Sequence, residues 1–173
     1  DQAVETAAEV AKSVTVGPAS EEGRHIGPVV NAVQFGKIQD LIQKGIDEGA
    51  RLVAGGTGRP EGFNRGFFVR PTVFADVNND MTIAREEIFG PVLSIIPFET
   101  EEDGVAIAND TDYGLTNYVQ TQDGARANRL AMRLRSGMVE MNGQGRGMGS
   151  PFGGMKQSGN GREGGKWGIE DFL

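Results

Sequence analysis

Segments with helical periodicity alternate with short apolar runs along this chain, and the alternation limits the fold more than any other sequence feature. Residues 1–14 carry alanine and valine at helical spacing, whereas residues 92–98 form a mostly apolar run of strand length. Alternating helices and strands are typical of sheets whose strands run mostly in parallel. We therefore predict an α/β fold, with helices around a mostly parallel open sheet.

Capping residues and glycines set the bounds of the predicted elements. Asn31 stands three residues before Gln34, and Thr100 three before Asp103, which is the spacing of a capping box. We expect Pro71 to place its strand at a sheet edge or on a bulge, because proline cannot donate to the ladder. The predicted helices are 1–14, 31–48 closed by Gly49, 80–86 capped by Asp80, one that begins at Thr100, and 123–135 capped by Asp123 and ended by Gly137; the predicted strands are 51–54, 67–74, 92–98, 116–120 and 138–141.

The glycines are concentrated towards the C-terminal end of the sequence. Of the 27 glycines, 12 fall between Gly137 and Gly168. This density favours turns and loops over regular elements. We expect a single domain, with an α/β body over residues 1–142 and a glycine-rich loop and tail over residues 143–173.

The net charge and the length of the apolar runs argue against two classes of partner, nucleic acids and membranes. The formal net charge is −7, so the chain repels phosphate backbones and we predict no nucleic-acid partner. The longest mostly apolar run, residues 92–98, is far too short to span a bilayer, so we predict no membrane partner. The first residues have neither the basic nor the apolar region of a signal peptide, and we expect a cytoplasmic protein.

The sequence holds one histidine and no cysteine. Without cysteine, these residues cannot form a disulfide, a zinc–thiolate site or a cysteine nucleophile. His25 lies in a polar segment, and no Gly-x-Ser-x-Gly motif supplies a serine nucleophile, so we interpret His25 as a solvated loop residue. We predict no metal site, because a transition metal finds no second histidine and no thiolate.

Residues 159–164 match the G-x-G-x-x-G pattern of dinucleotide-binding folds. No predicted strand directly precedes the pattern, and too few residues follow it to hold the acidic residue expected about 20 positions later. We interpret these glycines as turn residues. A small nucleotide-binding module that rests on them is an alternative hypothesis, which tight NAD binding sensitive to Gly161 would favour.

Residues 86–92, Glu-Glu-Ile-Phe-Gly-Pro-Val, join a predicted short helix to an apolar strand. One interpretation is a helix exit with Phe89 packed into the core. The other is a binding site, since a carboxylate accepts hydrogen bonds from sugar hydroxyls and an aromatic face packs on a flat ring. Physical chemistry alone leaves both open.

Four segments occur in a fixed order along nearly the whole chain. They are QFGKI at 34–38, EEIFGPV at 86–92, NDTDYGL at 109–115 and SPFGGMKQSGNGRE at 150–163. In this order they resemble the motifs of the NAD(P)-dependent aldehyde dehydrogenase superfamily. The resemblance implies that the predicted single domain is the C-terminal part of a catalytic domain.

The resemblance implies a role for four residues in binding NAD or NADP. Glu87 is expected to bind the nicotinamide ribose hydroxyls, and Phe89 to pack beside the nicotinamide. Gln34 and Lys37 are expected to approach the ribose from the other side. Glu86 and Glu87 are then cofactor-side groups and not the general base.

The resemblance also implies a substrate channel. Phe152 is expected to line this channel, and Asn142 to begin the loop that borders it, in a largely structural role. The loop at 143–149 alternates glycine with other residues, where many family members carry bulkier side chains. Within it, Arg146 is either a group that meets an acidic substrate or a solvated loop residue.

The family's reaction oxidises an aldehyde to a carboxylic acid through a cysteine thiohemiacetal, and a glutamate activates the water that releases the product. The resemblance places that cysteine and that glutamate upstream of Asp1, so we expect an oxidoreductase fragment that is inactive alone. Its implied partners are a small-molecule aldehyde, the remainder of its own polypeptide and further copies in a homo-oligomer. A free-standing, non-catalytic assembly or binding domain with the same scaffold is the alternative.

Overall fold

The computed structural model describes residues 1–170 and 172–173, and the chain divides into two compact units. Unit 1 is Asp1–Pro97 and unit 2 is Phe98–Leu173. Both contain helices and strands, and the predicted α/β class is confirmed. Within the described residues the strands form three small sheets in place of one open sheet, and three of the four strand pairings are parallel.

Unit 1 contains three helices and five strands among its described residues. Strand β4 is the centre of a three-stranded sheet, antiparallel to β3 and parallel to β5. Strands β1 and β2 form a short parallel pair. The elements are α1 (Gln2–Ser13), β1 (Thr15–Val16), β2 (His25–Ile26), α2 (Ala32–Asp47), β3 (Arg51–Ala54), β4 (Thr72–Ala75), α3 (Thr82–Arg85) and β5 (Val92–Ser94).

The core of unit 1 lies between α2 and the three-stranded sheet. Ile38, Ile42 and Phe74 are completely buried there. The predicted start of α2 is confirmed, because the Asn31 side chain accepts a hydrogen bond from the Gln34 amide at 2.9 Å. Its predicted end is confirmed as well, since Gly49 follows it with a left-handed φ of 89°.

Two predicted strands of unit 1 were too long. Of the predicted strand 67–74 only the last three residues are in β4, which spans Thr72–Ala75, and of 92–98 only Val92–Ser94 is in β5. The prediction for Pro71 was wrong, because it directly precedes the central strand β4, and the irregularity in the β3–β4 pairing falls between Leu52 and Ala54 of β3. Ladder pairing begins one residue later, where an amide hydrogen is available again.

The predicted helix 80–86 is a single turn, and Asp80 is not its cap. The Glu48 carboxylate accepts hydrogen bonds from the Thr82 amide at 2.7 Å and from the Thr82 hydroxyl at 2.6 Å. These bonds hold the pKa of Glu48 below its usual value, with the Thr82 hydroxyl as the main cause. Glu48, which is distant in sequence, therefore accepts the hydrogen bond at the start of α3 that was predicted for Asp80.

Unit 2 contains two parallel strands, with elements α4 (Glu101–Asn109), β6 (Thr116–Val119), α5 (Gly124–Arg133) and β7 (Met138–Met141). The Thr100–Asp103 capping box and the Asp123 cap are both confirmed. The prediction that Gly137 ends α5 was wrong. The helix stops at Leu134, whose backbone is extended, and the Arg135 amide then donates to the Asn109 side chain at 2.7 Å.

The glycine-rich tail of unit 2 also contains regular structure. A 3₁₀ turn spans Lys156–Ser158, and a final helix, α6, spans Gly165–Glu170. The Lys156 ammonium donates to the carbonyl oxygens of Asn109 at 3.0 Å and Thr111 at 2.9 Å. No helix in the described part of the chain has both the length and the apolar character needed to cross a bilayer.

Candidate functional site

The first two turns of α2 hold the loop at residues 86–91 by side-chain hydrogen bonds to its backbone. The Gln34 side-chain amide donates to the carbonyl oxygens of Ile88 at 2.9 Å and Phe89 at 3.1 Å. The Lys37 ammonium donates to the carbonyl oxygen of Glu87 at 2.7 Å. Gln34 and Lys37 are three residues apart and so share one helix face, which lets both reach the same loop.

Apolar packing also fixes the loop against α2. The Ile88 side chain is buried in the core of unit 1. Gly90 lies so close to Ile38 that a Cβ at this position would stand 2.6 Å from the Ile38 side chain. The glycine is therefore required by close approach rather than by its own φ, and the loop sits directly on α2.

Phe89 projects from the loop in an unusual conformation. Its φ is 55°, in the left-handed region that few residues other than glycine adopt. Its side chain is 75% exposed, so the interpretation of Phe89 as a core residue is wrong; Ile88 fills that place. An exposed aromatic on a rigid loop presents an open ring face, on which a flat ring can pack.

The Glu87 side chain is exposed beside Phe89 in sequence. None of the described residues donates a hydrogen bond to its carboxylate, whose oxygens remain free to accept from a ligand. Glu86 directly follows α3 in an extended conformation and is exposed too. Unit 1 thus brings together all four residues predicted to contact the cofactor.

In unit 2, Phe152 is fixed by its backbone and covered on one side by an arginine. Phe152 and Glu163 exchange two backbone hydrogen bonds of 2.7 Å. The Arg146 guanidinium lies 5.1 Å from the centre of the Phe152 ring and donates to the Ser150 carbonyl at 3.2 Å. Arg146 is thus held against an aromatic ring, a contact that neither interpretation of this residue included.

Phe152 lines a cavity of 490 Å³ within unit 2. The glycines at 159, 161 and 164 line the same cavity. Gly159 and Gly164 have left-handed φ values of 88° and 79°, and the Gly159 amide donates to the Lys156 carbonyl at 3.2 Å at the end of the 3₁₀ turn. The turn predicted for Gly161 stays a prediction. The assignment of this wall to an aldehyde channel stays a prediction.

Asn142 directly follows β7 and organises the turn after it. Its φ is 53°, its amide donates to the Val119 carbonyl at 2.7 Å, and its side chain accepts from the Thr121 amide at 2.8 Å. Asparagine suits such a left-handed position, because its short side chain bonds locally. Its predicted place beside a substrate channel stays a prediction.

The prediction of a solvated His25 was wrong. The residue lies in β2, is half-buried, and its Nε2 is 3.0 Å from the Pro18 carbonyl oxygen. Gly17 packs against the imidazole, and a Cβ there would lie 2.8 Å from the ring. His25 is therefore a packing residue of the β1–β2 pair.

Sequence reasoning missed the backbone carbonyls of residues 87–89, which bond to Gln34 and Lys37. A carbonyl carries no residue-specific signal, so no motif marks it as an acceptor. The usable signal was the spacing of Gln34 and Lys37 on one face of a predicted helix.

The model of the aldehyde dehydrogenase family matches residues 1–173. The chain belongs to this family, as its four ordered motifs predicted.

Several proteins are similar to this chain over its whole length or nearly so. A 3-succinoylsemialdehyde-pyridine dehydrogenase from a Pseudomonas species is 47% identical over 173 residues, which is 100% of this chain and 36% of that protein. A crystal structure of an aldehyde dehydrogenase from Bartonella henselae is 61% identical, with a TM-score of 0.99 over 100% of this chain and 36% of that one. The chain thus spans about a third of the length of these relatives.

A third relative was solved with ligands. It is a mutant of aldehyde dehydrogenase C from Pseudomonas syringae in complex with NAD⁺ and octanal. It is 48% identical, with a TM-score of 0.96, and the match covers 99% of this chain and 36% of that one.

Proposed function

We propose that this chain forms part of a cytoplasmic, homo-oligomeric enzyme that oxidises an aldehyde to a carboxylic acid with NAD⁺ or NADP⁺. Within it, unit 1 supplies contacts to the nicotinamide ribose. The observation that carries the proposal is the loop at 86–91, which presents the free carboxylate of Glu87 and the open ring of Phe89 on a backbone held by α2.

The residues present fit this cofactor chemically. The carboxylate of Glu87 accepts two hydrogen bonds readily, which matches the paired hydroxyls of a ribose. The exposed face of Phe89 matches a flat pyridine ring. Gln34 and Lys37 lie at the same loop, where the side-chain oxygen of Gln34 and the remaining ammonium hydrogens of Lys37 are available to a sugar. When bound, the oxidised nicotinamide supplies the hydride acceptor.

The catalytic nucleophile and base are proposed to come from outside these residues. The sequence contains no cysteine, so no thiolate of this chain attacks an aldehyde. We place Phe152 in the wall of the aldehyde site and Asn142 at the start of its bordering loop. The names of two relatives, one bound to octanal and one acting on a semialdehyde, support an aldehyde substrate without selecting one.

The test compares two adjacent carboxylates in a polypeptide of the relatives' length that carries this chain. We expect Glu87→Ala to lower kcat/KM for NAD⁺ by about 10-fold to 100-fold, which corresponds to the loss of a charged hydrogen bond of about 1.5–3 kcal/mol. Glu86→Ala is the matched control, because the ribose contact is assigned to Glu87 alone, and it is expected to change kcat/KM less than about 3-fold.

Two outcomes would overturn the proposal. One is the absence of aldehyde-dependent reduction of NAD⁺ or NADP⁺ by the unaltered polypeptide. The other is an equal effect of the two alanine substitutions. The 173-residue chain by itself is expected to give no aldehyde-dependent reduction, because it has no cysteine.

A further inference from the structure

The side chains of Gln34 and Lys37 in α2 donate hydrogen bonds to main-chain atoms of the loop at 86–91. Three consecutive carbonyl oxygens, those of Glu87, Ile88 and Phe89, accept from Gln34 and Lys37 at 2.7–3.1 Å. A residue whose only task is to touch a ligand has no need of such bonds. These bonds surround Phe89, whose backbone is left-handed and whose side chain is exposed, which indicates that they hold the backbone in this conformation.

We propose that Gln34 and Lys37 are positioning residues, which hold the Phe89 backbone in its left-handed conformation and so aim its ring. That the ring faces the nicotinamide rests on the proposed function, but the positioning itself does not. A left-handed φ is unfavourable for phenylalanine, so the conformation persists only where surrounding bonds fix it. Gln34 donates to the carbonyls of both peptides that flank Phe89, those of Ile88 and Phe89, and Lys37 fixes the preceding carbonyl, that of Glu87.

The exposure of these two side chains allows their effect on Phe89 to be tested without destabilising the fold. Lys37 is exposed and Gln34 is half-buried, whereas Ile38, Ile42 and Ile88 belong to the buried core of unit 1. Loss of the Lys37 ammonium therefore leaves the apolar packing of unit 1 intact. The expected consequence is local, at the orientation of Phe89.

The first experiment is a double-mutant cycle in a polypeptide of the relatives' length. Lys37→Met is expected to lower kcat/KM for NAD⁺ about 10-fold when Phe89 is present and about 3-fold or less in a Phe89→Ala background, where only a direct contact of Lys37 with the cofactor can still be lost, because residues that act through one another are not additive. Lys37→Arg, which keeps a donor, is expected to restore kcat/KM to within about 3-fold. Lys12→Met, which removes an exposed lysine of α1, is the control for charge and is expected to have no effect.

The cycle has a clear contrary result. Equal losses from Lys37→Met in the two backgrounds would mean that Lys37 acts only through its own contact with the cofactor and not through Phe89, and would overturn the proposal. Failure of Lys37→Arg to restore kcat/KM would do the same.

The second experiment requires neither activity nor cofactor. The Cα and Cβ chemical shifts of Phe89 in the cofactor-free polypeptide of the relatives' length, labelled with ¹³C at phenylalanine, report its backbone conformation. We expect left-handed values in the unaltered chain and in Lys37→Arg, and values averaged with extended backbone in Lys37→Met and Gln34→Ala. Unchanged shifts in the last two variants, or averaged shifts in the unaltered chain, would overturn the positioning role. Shifts that move as expected in a protein without dehydrogenase activity would uphold positioning and overturn only the proposed function.

Discussion

The two units of this chain are stabilised in different ways. Apart from Val105 and Val119, every buried apolar side chain in the described part of the chain belongs to unit 1. Unit 2 depends on side chains that bond to backbone, on ion pairs and on glycines in close contact. Lys156 bonds to two carbonyls, Glu101 bonds to Arg129, and Gly137 lies against the backbone of Gly153.

The difference shows how a glycine-rich segment acquires a fixed structure. Glycine offers little apolar area to remove from water, so a hydrophobic core cannot form from it. It does allow backbones to approach closely, and polar side chains can then bond across the short distance. Unit 1 should therefore be most sensitive to lost volume, and unit 2 to lost hydrogen bonds and added volume.

The largest expected effect is on the core of unit 1. Phe74 is fully buried, so Phe74→Ala should lower the free energy of unfolding by about 3–5 kcal/mol. Phe98 in unit 2 is 62% exposed, and Phe98→Ala should cost about 0.5 kcal/mol or less. Urea unfolding with hydrogen exchange read in each unit measures both. Similar costs at the two positions would contradict the comparison.

The next largest effect is expected at Lys156, which joins the tail of unit 2 to the end of α4 and the residues after it by hydrogen bonds. Lys156→Met removes the donor from the carbonyls of Asn109 and Thr111, and should cost about 1.5–3 kcal/mol. Lys166→Met is the control, since Lys166 is exposed over the Trp167 ring and its loss should cost about 0.5 kcal/mol. Exchange of the β6 and β7 amides reports the change. Equal protection in the two variants would show that unit 2 does not depend on this bond.

Added volume should destabilise unit 2 by a similar or slightly smaller amount. A Cβ at Gly137 would overlap the carbonyl oxygen of Gly153, so Gly137→Ala should cost about 1–3 kcal/mol. Gly124 begins α5 with open space around it, and Gly124→Ala should be neutral or stabilising by up to about 1 kcal/mol. Thermal unfolding of the two variants separates them. A tolerated alanine at position 137 would mean that the close approach is not required.

The smallest effect is a difference in the response to acid and salt. Hydrogen bonding to Arg129 holds the pKa of Glu101 below its usual value, as bonding to the Thr82 hydroxyl does for Glu48 in unit 1. A carboxyl whose pKa is lower in the folded state stabilises the fold above its unfolded pKa, and this stability is lost as the pH falls through the folded pKa. Both units should therefore lose stability below about pH 5.

Salt should affect the stabilising contributions of Glu101 and Glu48 differently. The main partner of Glu101 is charged, so about 1 M salt should weaken its contribution, whereas the bond from the Thr82 hydroxyl to Glu48 should change little. The measurement is the pH dependence of unfolding for Glu101→Gln and Glu48→Gln at low and high salt. Equal salt sensitivity of the two acid responses would contradict the assignment.

The sequence predicted what local chemistry determines. Asn31, Thr100 and Asp123 cap helices because a short polar side chain bonds within three residues of itself, and such spacing is visible in the sequence. It failed where a distant group replaced the local one. Glu48 replaces Asp80 at the start of α3, and the bond to Asn109 accompanies the early end of α5.

The candidate site divides in the same way. The motif containing Glu87 and Phe89 was identifiable, and the fold brings Gln34 and Lys37 to it. The backbone bonds that hold the loop, and the half-buried place of His25, depend on tertiary approach. No spacing along the chain encodes that approach.

Because the acceptors at residues 87–89 belong to the main chain, the side chains at these positions can be substituted without loss of the bonds from α2. Every amino acid supplies a carbonyl oxygen, so a substitution at position 87 keeps the bond from Lys37. The recognition surface can therefore change its chemistry while its framework stays in place. A library of variants at positions 87 and 89 should yield many folded proteins with altered ligand preference, which makes this loop a natural starting point for evolving or engineering new cofactor recognition.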